Sequence, residues 1–327
     1  MRMRAVQYDH YGGPEVLQIR TLAVPSPGLD EMLVRVHASG LNPKDSVVRS
    51  GAMRPLSGRR FPRGTGYDFA GEVVRAGAAI DDLAPGARVW GFLDGYLGGA
   101  AADYLTAPRK WMSAMPEHLD WVEAAAMPLV ATTALQALRD VARLASGERL
   151  LIKGASGGVG SAAIQIGAFK GAHVTAMARG DGVEYCRSLG AHEVVAYRQI
   201  DPARFHERFD VFLDCVGRSP VRAYRRLLNP GGRWVTVAPS PPIYALAPIS
   251  PVLSRVFGGP RFSFVAVKPR QADLEELAAL VDRGVLRMPV TGTFPLEEIR
   301  AAHGLVAKRH GRGKRVIVVS PIAAAQA

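Results

Sequence analysis

The stretch Arg149-Leu-Leu-Ile-Lys-Gly-Ala-Ser-Gly-Gly-Val-Gly160 puts a short apolar segment directly before a turn that contains four glycines. The chain leaves this turn through Ser161-Ala-Ala-Ile164, whose small and apolar side chains favour a closely packed helix. In such a strand–turn–helix unit, Gly157 lets the backbone approach a pyrophosphate, and Gly160 lets the helix pack tightly on the strand. Exposed N–H groups and the helix dipole then face the phosphates. The stretch therefore predicts a dinucleotide-binding turn, the alternative being a glycine turn with a structural role alone.

Strand and helix signals alternate around this turn. Strands are predicted in the apolar stretches 149–153, 173–178, 193–196, 209–215, 233–238 and 262–267. Helices are predicted to begin at Gly158 and Val183 and to cover 220–228 and 272–283. Strands that alternate with helices at this spacing indicate a doubly wound parallel sheet.

The first 120 residues differ, because short strands there lie between turns rich in Gly and Pro. These strands are predicted at 3–8, 32–39, 70–76, 88–92 and 101–106, and a last strand at 315–319. The segment 124–144 is rich in Ala and Leu and predicts a helix interrupted near Pro128. A chain of 327 residues exceeds one ordinary core. We therefore expect an α/β protein with a mostly β domain and a doubly wound domain.

The chain is basic, with a formal net charge of +12. Such an excess suits nucleic acid, an anionic membrane surface or a polyanionic small molecule. The basic residues are spread along the chain except at 54–63, 222–226 and 308–315, which favours an anionic cofactor on a solvated basic surface over a nucleic acid. No apolar run is long enough to span a bilayer. Two cysteines, Cys186 and Cys215, give no disulfide framework, so we expect a cytoplasmic protein without a secretory signal.

The residues after the second strand of the doubly wound sheet indicate which nicotinamide is used. The strand 173–178 ends without the Asp or Glu that would bind a ribose 2′-hydroxyl, and Arg179 follows it directly. An arginine can bind a 2′-phosphate through two hydrogen bonds, whereas a carboxylate would repel it. Asp181 could soften this preference. The alternative is that Arg179 merely lies in a solvated loop and does not bind the cofactor. The pattern predicts NADPH in preference to NADH.

Seven segments together resemble the quinone oxidoreductase-like branch of the medium-chain dehydrogenase/reductase superfamily over nearly the whole chain. They are residues 5–17, 38–45, 66–71, 154–160, 187–191, 209–217 and 228–232. The resemblance implies a GroES-like, mostly β catalytic domain formed by 1–120 with 268–327. It also implies a Rossmann NADPH-binding domain formed by 121–267, with the active cleft between the two domains.

The same resemblance implies a set of cofactor contacts, for each of which core packing or a turn is the alternative role. The pyrophosphate would be bound by Ser156, Gly157, Gly158, Val159 and Gly160. Arg179 would bind the 2′-phosphate, and Tyr197 would lie beside the adenosine end. The nicotinamide and its ribose would contact Thr133, Val216, Gly217, Val237, Ala238 and, from the other domain, Asn42.

The positions that hold catalytic zinc in metal-dependent relatives carry other residues here. They are Asn42, then Tyr67 with Asp68, and no cysteine occurs between Glu123 and Ala145. Zinc requires three or four converging N, S or O ligands, so a zinc-free enzyme without any metal site is predicted. Such an enzyme needs an acceptor that stabilises the incoming negative charge by conjugation, which a quinone or an α,β-unsaturated carbonyl does.

Asn42, Tyr67 and Asp45 are the candidate catalytic residues, although Asp45 could instead cap a helix. The tyrosine of enoyl thioester reductases is absent from 49–53, and solvent is another proton source. The apolar, proline-rich stretch 239–260 is predicted to be a long connection beside the substrate opening, with a packed surface loop as the alternative.

Two other functions stay open. One is a biosynthetic ene-reductase or reductive cyclase for a bulky hydrophobic polyene or enoyl substrate. The other is an NADPH-occupied binding protein that holds RNA on its basic surface. Relatives pair the edge strands of their Rossmann sheets, so a homodimer through the fifth and sixth strands is also expected.

Overall fold

The computed structural model describes residues 1–196, 208–217, 219–307 and 312–320. Its strands are β1 (Arg2–Tyr8), β2 (Gln18–Ala23), β3 (Glu31–Gly40), β4 (Arg63–Gly64), β5 (Asp68–Ala76), β6 (Arg88–Phe92), β7 (Tyr104–Pro108), β8 (Met112–Ala114), β9 (Arg149–Lys153), β10 (His173–Ala178), β11 (Glu193–Ala196), β12 (Phe209–Asp214), β13 (Leu228–Thr236), β14 (Arg261–Phe264), β15 (Val290–Pro295) and β16 (Lys314–Val318). Its α-helices are α1 (Pro43–Arg49), α2 (Arg54–Ser57), α3 (Trp121–Ala125), α4 (Pro128–Gln136), α5 (Gly158–Phe169), α6 (Gly182–Ser188), α7 (Val221–Tyr224), α8 (Pro241–Leu246), α9 (Ser250–Phe257), α10 (Gln271–Asp282) and α11 (Ile299–Ala307).

The mostly β part of the chain contains a seven-stranded sheet in the order β15-β16-β3-β5-β6-β8, with β7 also paired to β3. A smaller sheet in the order β2-β1-β4 lies beside it. The last strand, β16, pairs antiparallel with β3, so that Val316 is opposite Gly40 and Val318 is opposite Ala38. The C-terminal strands therefore complete the sheet of the N-terminal residues.

The second sheet has six strands in the order β11-β10-β9-β12-β13-β14, and all of its neighbouring strands are parallel. From β9 the chain runs outward to β11, and it then returns to β12 and runs outward in the opposite direction. In sheets of this kind ligands bind at the carboxyl ends of the two strands where the order reverses, which are β9 and β12 here. The predicted α/β class and doubly wound sheet are confirmed.

The central strands of the parallel sheet are buried on both faces. Leu150, Leu151 and Ile152 of β9 are all fully buried, as expected for a parallel strand covered by helices on both sides. On one face an aromatic cluster fills the space, with the rings of Phe212 and Trp234 4.8 Å apart in an edge-to-face arrangement. This packing makes the carboxyl edge of β9 a rigid support for the turn that follows it.

The stretch 239–260 connects β13 to β14, as predicted, but the sequence analysis expected no helices in it. That stretch forms two helices, α8 and α9, and each has a proline at its first or second helical position. Proline is tolerated there because the first N–H groups of a helix have no intrahelical acceptor. The sequence also missed β2, β15 and α11. The helical segment 124–144 is interrupted near Pro128, as predicted, because α3 ends at Ala125 and α4 begins at Pro128.

None of the helices in the described ranges has both the length and the apolar character needed to cross a membrane.

Candidate active site

The connections that follow β9, β12 and β13 meet at one edge of the parallel sheet. Gly154 has a φ of +75°, and a Cβ atom on it would lie 2.7 Å from Cγ2 of Val216. Gly217 has a φ of +71°, and a Cβ atom on it would lie 2.4 Å from the carbonyl oxygen of Ala238. The turn after β9 therefore lies against Val216, and Gly217 lies against Ala238. Only glycine, which has no Cβ atom, allows these two close approaches.

Asp214 organises this edge. Its Oδ1 atom accepts hydrogen bonds from the backbone N–H groups of Val216 (3.1 Å) and Gly217 (2.9 Å). Its carbonyl oxygen accepts from the N–H of Val237 (3.1 Å) and from the hydroxyl of Thr236 (3.1 Å). The sequence analysis did not identify Asp214, although an acidic residue that ends a buried strand is a recognisable signal for such a role.

The glycine turn leaves an open cradle at the start of α5. A Cβ atom on Gly160 would lie 2.4 Å from the carbonyl oxygen of Gly154 and 2.6 Å from Cα of Ala155, so the close helix packing expected at Gly160 is present. Within the part of the chain that the structure describes, a Cβ atom on Gly157 would meet only the Gly154 oxygen, at 3.4 Å. Gly157 is the N-cap of α5, and no side chain caps the first N–H groups of the helix. These N–H groups, beside open space at a helix N-terminus, fit a pyrophosphate.

The cradle also contacts the mostly β part of the chain. A Cβ atom on Gly158 would lie 2.9 Å from Cγ1 of Val130 in α4 and 3.2 Å from Cδ of Lys314 in β16. The carbonyl oxygen of Ser156 accepts a hydrogen bond from the N–H of Gly313 (3.3 Å). The cradle therefore lies against the start of β16, and Val159 packs on the core beneath it.

Two arginines lie near the end of β10, where the ribose of a bound dinucleotide is expected. Arg179 is exposed directly after the strand, and its carbonyl oxygen accepts from the N–H of Gly182 (2.7 Å). Arg312 reaches the same loop, because its Nε lies 3.2 Å from Oδ2 of Asp181. Arg312 belongs to the basic run 308–315 noted in the sequence, but no role had been assigned to it. Tyr197 lies outside the described residues.

A buried cluster of three side chains, Asn42, Asp68 and Lys314, lies where the two parts of the chain meet. The Nζ of Lys314 lies 2.6 Å from Oδ1 of Asn42 and 3.2 Å from Oδ2 of Asp68. The Nδ2 of Asn42 donates to Asp68 Oδ2 (2.8 Å), and the N–H of Leu129 donates to Asp68 Oδ1 (2.6 Å). Burial raises the pKa of Asp68, and Lys314 and the two N–H donors oppose that rise. The sequence analysis missed Lys314, which lies in the same basic run as Arg312.

Catalytic zinc does not fit this cluster. Asn42 and Tyr67 occupy the positions where zinc-dependent relatives have ligands. Asn42 Oδ1 already accepts from the Lys314 ammonium group, and Asp68 beside Tyr67 is paired with the same group. Among residues 1–196, 208–217, 219–307 and 312–320, no group of three or more His, Cys, Asp or Glu side chains could hold a metal ion. We therefore derive no chemical step through a metal.

Asp45 and Thr133 use their polar atoms within the protein. The carboxylate of Asp45 accepts from the N–H of Asn42 (2.8 Å), the N–H of Gly66 (2.8 Å) and the hydroxyl of Thr65 (3.2 Å). Burial raises the pKa of Asp45, and these hydrogen bonds oppose the rise. The hydroxyl of Thr133 donates to the carbonyl oxygen of Leu129 one helical turn earlier (2.6 Å). Asp45 thus forms a capping box at α1 and orients the backbone of Asn42.

Tyr67, the residue before Asp68, is fully buried beside the cluster. Burial raises the pKa of its hydroxyl, so the phenol keeps its proton throughout the range of physiological pH. The ammonium group of Lys44 lies over its ring, 4.0 Å from the ring centroid. The structure therefore adds Lys44 to the polar residues at this position, and the sequence had given it no role.

Comparison with known proteins agrees with this geometry. Residues 28–117 match the family described as alcohol dehydrogenase GroES-like domain, and residues 189–317 match the family described as zinc-binding dehydrogenase. A chloroplastic quinone-oxidoreductase homologue of Spinacia oleracea is 32% identical over 96% of this chain and 98% of its own length. A mitochondrial NAD(P)H oxidoreductase of Mus musculus is 31% identical over 97% of this chain and 89% of its own length.

The solved structure of the quinone oxidoreductase from Coxiella burnetii superposes with a TM-score of 0.89 at 29% identity, and it covers 98% of this chain and 100% of that chain. The chain belongs to the medium-chain dehydrogenase/reductase superfamily, in the branch that contains the quinone oxidoreductase homologues. It is therefore an oxidoreductase that uses a nicotinamide cofactor.

Proposed function

We propose that this oxidoreductase uses NADPH to reduce a quinone or an α,β-unsaturated carbonyl compound without zinc. The observation that carries the proposal is the Lys314 ammonium group between Asn42 and Asp68, 2.6 Å and 3.2 Å from their oxygens. A lysine in this position neutralises the carboxylate and leaves no site for a Lewis acid. An acceptor that delocalises the incoming charge does not require one.

NADPH as the cofactor is supported by the two arginines at the loop after β10. A carboxylate near the ribose would repel a 2′-phosphate, but Asp181 is paired with Arg312, which reduces that repulsion. Arg179 is exposed beside it and can bind the phosphate through two hydrogen bonds. Bound NADPH supplies two electrons and one proton to the acceptor as hydride.

We assign the remaining residues by their place around the cradle. The backbone of 156–160 binds the pyrophosphate, and Val216, Gly217, Val237 and Ala238 line the nicotinamide half, because the turns after β12 and β13 converge there. We also assign Thr133, in α4, to that half. Asn42 faces the nicotinamide from the other domain with Tyr67 beside it, and Asp45 positions Asn42 through its backbone.

The NADPH preference is tested with Arg179→Glu. Charge-assisted hydrogen bonds contribute about 1.5–3 kcal/mol each, so the ratio of kcat/KM for NADPH over NADH should fall about 10- to 100-fold. Arg75→Glu makes the same charge change at an exposed residue of β5 in the other sheet, and it serves as the control. Equal NADPH-to-NADH ratios in wild type and Arg179→Glu would rule out the assignment.

The acceptor and the zinc independence are tested together. Purified enzyme is treated with a chelator, its metal content is measured, and NADPH oxidation is followed with a panel of quinones, enones and simple aldehydes. We expect undiminished turnover of the conjugated acceptors and negligible turnover of the aldehydes. Loss of turnover on removal of a stoichiometric metal would refute the proposal. Binding of RNA without turnover of any acceptor would favour the non-enzymatic alternative.

A homodimer through the sixth strand is also part of the proposal. Strand β14 is at the end of the parallel sheet, and Phe264 on it is partly exposed. Helix α9 is joined to β14 through Ser250, whose hydroxyl accepts from the N–H of Phe262 (2.9 Å), and it exposes Val252 and Val256. Light scattering that gives a monomer mass at micromolar concentration would exclude the dimer. The cytoplasmic location stays a prediction, since the compared relatives include chloroplastic and mitochondrial proteins.

A further inference from the structure

Lys44 lies beside the buried cluster of Asn42, Asp68 and Lys314. It lies in the first turn of α1, two residues after Asn42, and its side chain is partly buried. Its Nζ is 4.0 Å from the ring centroid of Tyr67 and 5.6 Å from that of Tyr96. The faces of the two aromatic rings attract the ammonium group and hold it on the side of the cluster where Tyr67 lies.

The ammonium group of Lys44 keeps its hydrogen-bond donors available. Within the ranges that the structure describes, no hydrogen bond or ion pair joins Lys44 Nζ to another residue. The carboxylates around it already have partners: Asp45 binds backbone N–H groups, Asp68 binds Lys314, and Asp94 pairs with Lys268 at 2.9 Å. An ammonium ion normally donates up to three hydrogen bonds, and a partly buried one gains from a new acceptor.

We propose that Lys44 is the group that binds the acceptor's carbonyl oxygen and protonates it when it becomes an oxyanion. The inference rests on the proposed function, because it requires an acceptor whose oxygen takes up negative charge. It assigns to Lys44 the polarising role that zinc performs in metal-dependent relatives, and it leaves Asp45 in its capping position.

The proton and electron balance is closed. As a carbon–hydrogen bond forms at the β-carbon of an enone, the electrons of the C=C bond move into the carbonyl group and give an enolate oxygen. One N–H bond of Lys44 breaks and an O–H bond forms, and the neutral amine regains a proton from water. A quinone reacts in the same way. Hydride addition gives a hydroquinone monoanion, and its phenolate oxygen takes the proton from Lys44.

The environment of Lys44 suits a proton donor. Burial lowers the pKa of Lys44, and the nearby carboxylates of Asp45, Asp94 and Asp68 oppose the fall while Lys268 adds to it. The titratable or charged groups that face it from the packed elements are Asp45, Tyr67, Asp68, Asp94, Tyr96 and Lys268. Below its pKa Lys44 is a charged donor, and above it the donor charge is lost, so activity should decline as the pH rises through that lowered value.

The kinetic test compares Lys44→Met, Lys44→Arg and Lys268→Met. Removal of one preorganised donor to an oxyanion costs on the order of 100-fold in rate, so Lys44→Met should lose about that factor in kcat with a quinone or an enone. Lys44→Arg should keep more activity and move the alkaline decline to higher pH, because arginine does not deprotonate there. Lys268→Met removes the same charge from a residue that is paired with Asp94, so kcat should stay near wild type. Because Lys268 lowers the pKa of Lys44, the alkaline decline of this variant should move slightly to higher pH.

A binding test needs no turnover. 4-Nitrophenol resembles the phenolic oxygen of a hydroquinone, and its anion is detected by absorbance. On wild-type enzyme saturated with NADP⁺, the bound phenol should ionise at lower pH than in water, and Lys44→Met should abolish this shift while Lys268→Met keeps it.

The outcomes separate the two proposals. If the enzyme turns over quinones and Lys44→Met retains wild-type kcat and the nitrophenol shift, the role of Lys44 is wrong and the proposed function stands. If no acceptor is reduced, the proposed function fails, and the nitrophenol shift then decides whether Lys44 binds an oxyanion. A soluble Lys44→Met protein with an unchanged melting temperature confirms that any loss is not caused by unfolding.

Discussion

Replacing Lys314 by Met tests the buried cluster most directly. The substitution keeps a stem of similar length against Gly158 but removes the ammonium group that lies 3.2 Å from Asp68 Oδ2 and 2.6 Å from Asn42 Oδ1. Among the described residues, Asp68 then keeps the donors Asn42 Nδ2 and Leu129 N–H, and its carboxylate is fully buried. Removing one partner of a buried pair leaves an uncompensated charge, which costs about 3–5 kcal/mol. We expect a loss of this size in the free energy of unfolding near neutral pH.

The loss in the free energy of unfolding caused by Lys314→Met should depend on pH, and the direction of this dependence can be worked out. Burial already raises the pKa of Asp68, and without Lys314 the folded-state value rises further above the unfolded value of about 3.9. A carboxyl group whose folded-state pKa is raised stabilises the fold below its unfolded pKa, and this contribution is lost as the pH rises through the folded-state pKa. The deficit of Lys314→Met against wild type should therefore be small near pH 4 and largest above the raised pKa.

Urea unfolding followed by circular dichroism measures both effects in wild type, Lys314→Met, Asp68→Asn and the double variant. The double variant should recover much of the stability lost by Lys314→Met, because no unpaired charge remains. Lys268→Met breaks the largely exposed pair with Asp94 and should cost less than about 1 kcal/mol. A Lys314→Met deficit below 1 kcal/mol at neutral pH, or one that does not change with pH, would refute the reasoning.

Two other predictions concern the cofactor edge. Gly160→Ala puts a Cβ atom 2.4 Å and 2.6 Å from backbone atoms, so it should cost about 1–3 kcal/mol and weaken NADPH binding. Gly304→Ala in α11, where a Cβ meets nothing within 4 Å, should instead raise the melting temperature, and equal melting temperatures for the two variants would contradict the packing argument. Asp214→Ala removes the acceptor of two N–H groups and should weaken NADPH binding about 10-fold or more in a fluorescence titration. Asp210→Ala at the opposite end of β12 loses its bond to Asn229 and should leave the NADPH Kd unchanged; an equal effect of both substitutions would argue against the role of Asp214.

The parallel sheet was predictable because its central strands contain short apolar runs, such as Leu150–Ile152 in β9 and Val211–Leu213 in β12. The runs that form β9 and β12 are buried on both faces, so their composition alone sets them apart from helices and loops. Strands β2 and β15 gave no such signal, because each alternates between partly and fully exposed residues. The helices α8 and α9 were missed because their prolines lie in first turns, where proline does not break a helix.

The residues of the candidate site likewise fall into those that the sequence could predict and those that it could not. The glycine cradle is local in sequence, so Gly157 and Gly160 could be assigned from their spacing. The Asn42–Asp68–Lys314 cluster joins residues up to 272 positions apart, and no local pattern reports that contact. Asn42 was identified by its position in a motif, whereas Lys314 depends on how β16 returns to β3.

That return has a consequence for biosynthesis. On the ribosome, the strands of the parallel sheet emerge before β16, so that sheet can close around its own apolar strands while β16 is still inside the ribosome. Until then residues 38–40 of β3 lack their partner strand β16 and Asp68 lacks the ammonium group of Lys314, so the glycine turn can form beside an unfinished cluster. Pairing across such a long loop is slow compared with local folding. The Asn42–Asp68–Lys314 cluster is therefore completed last, when the final strand docks, and a product clipped before Lys314 would lack the counterion of Asp68.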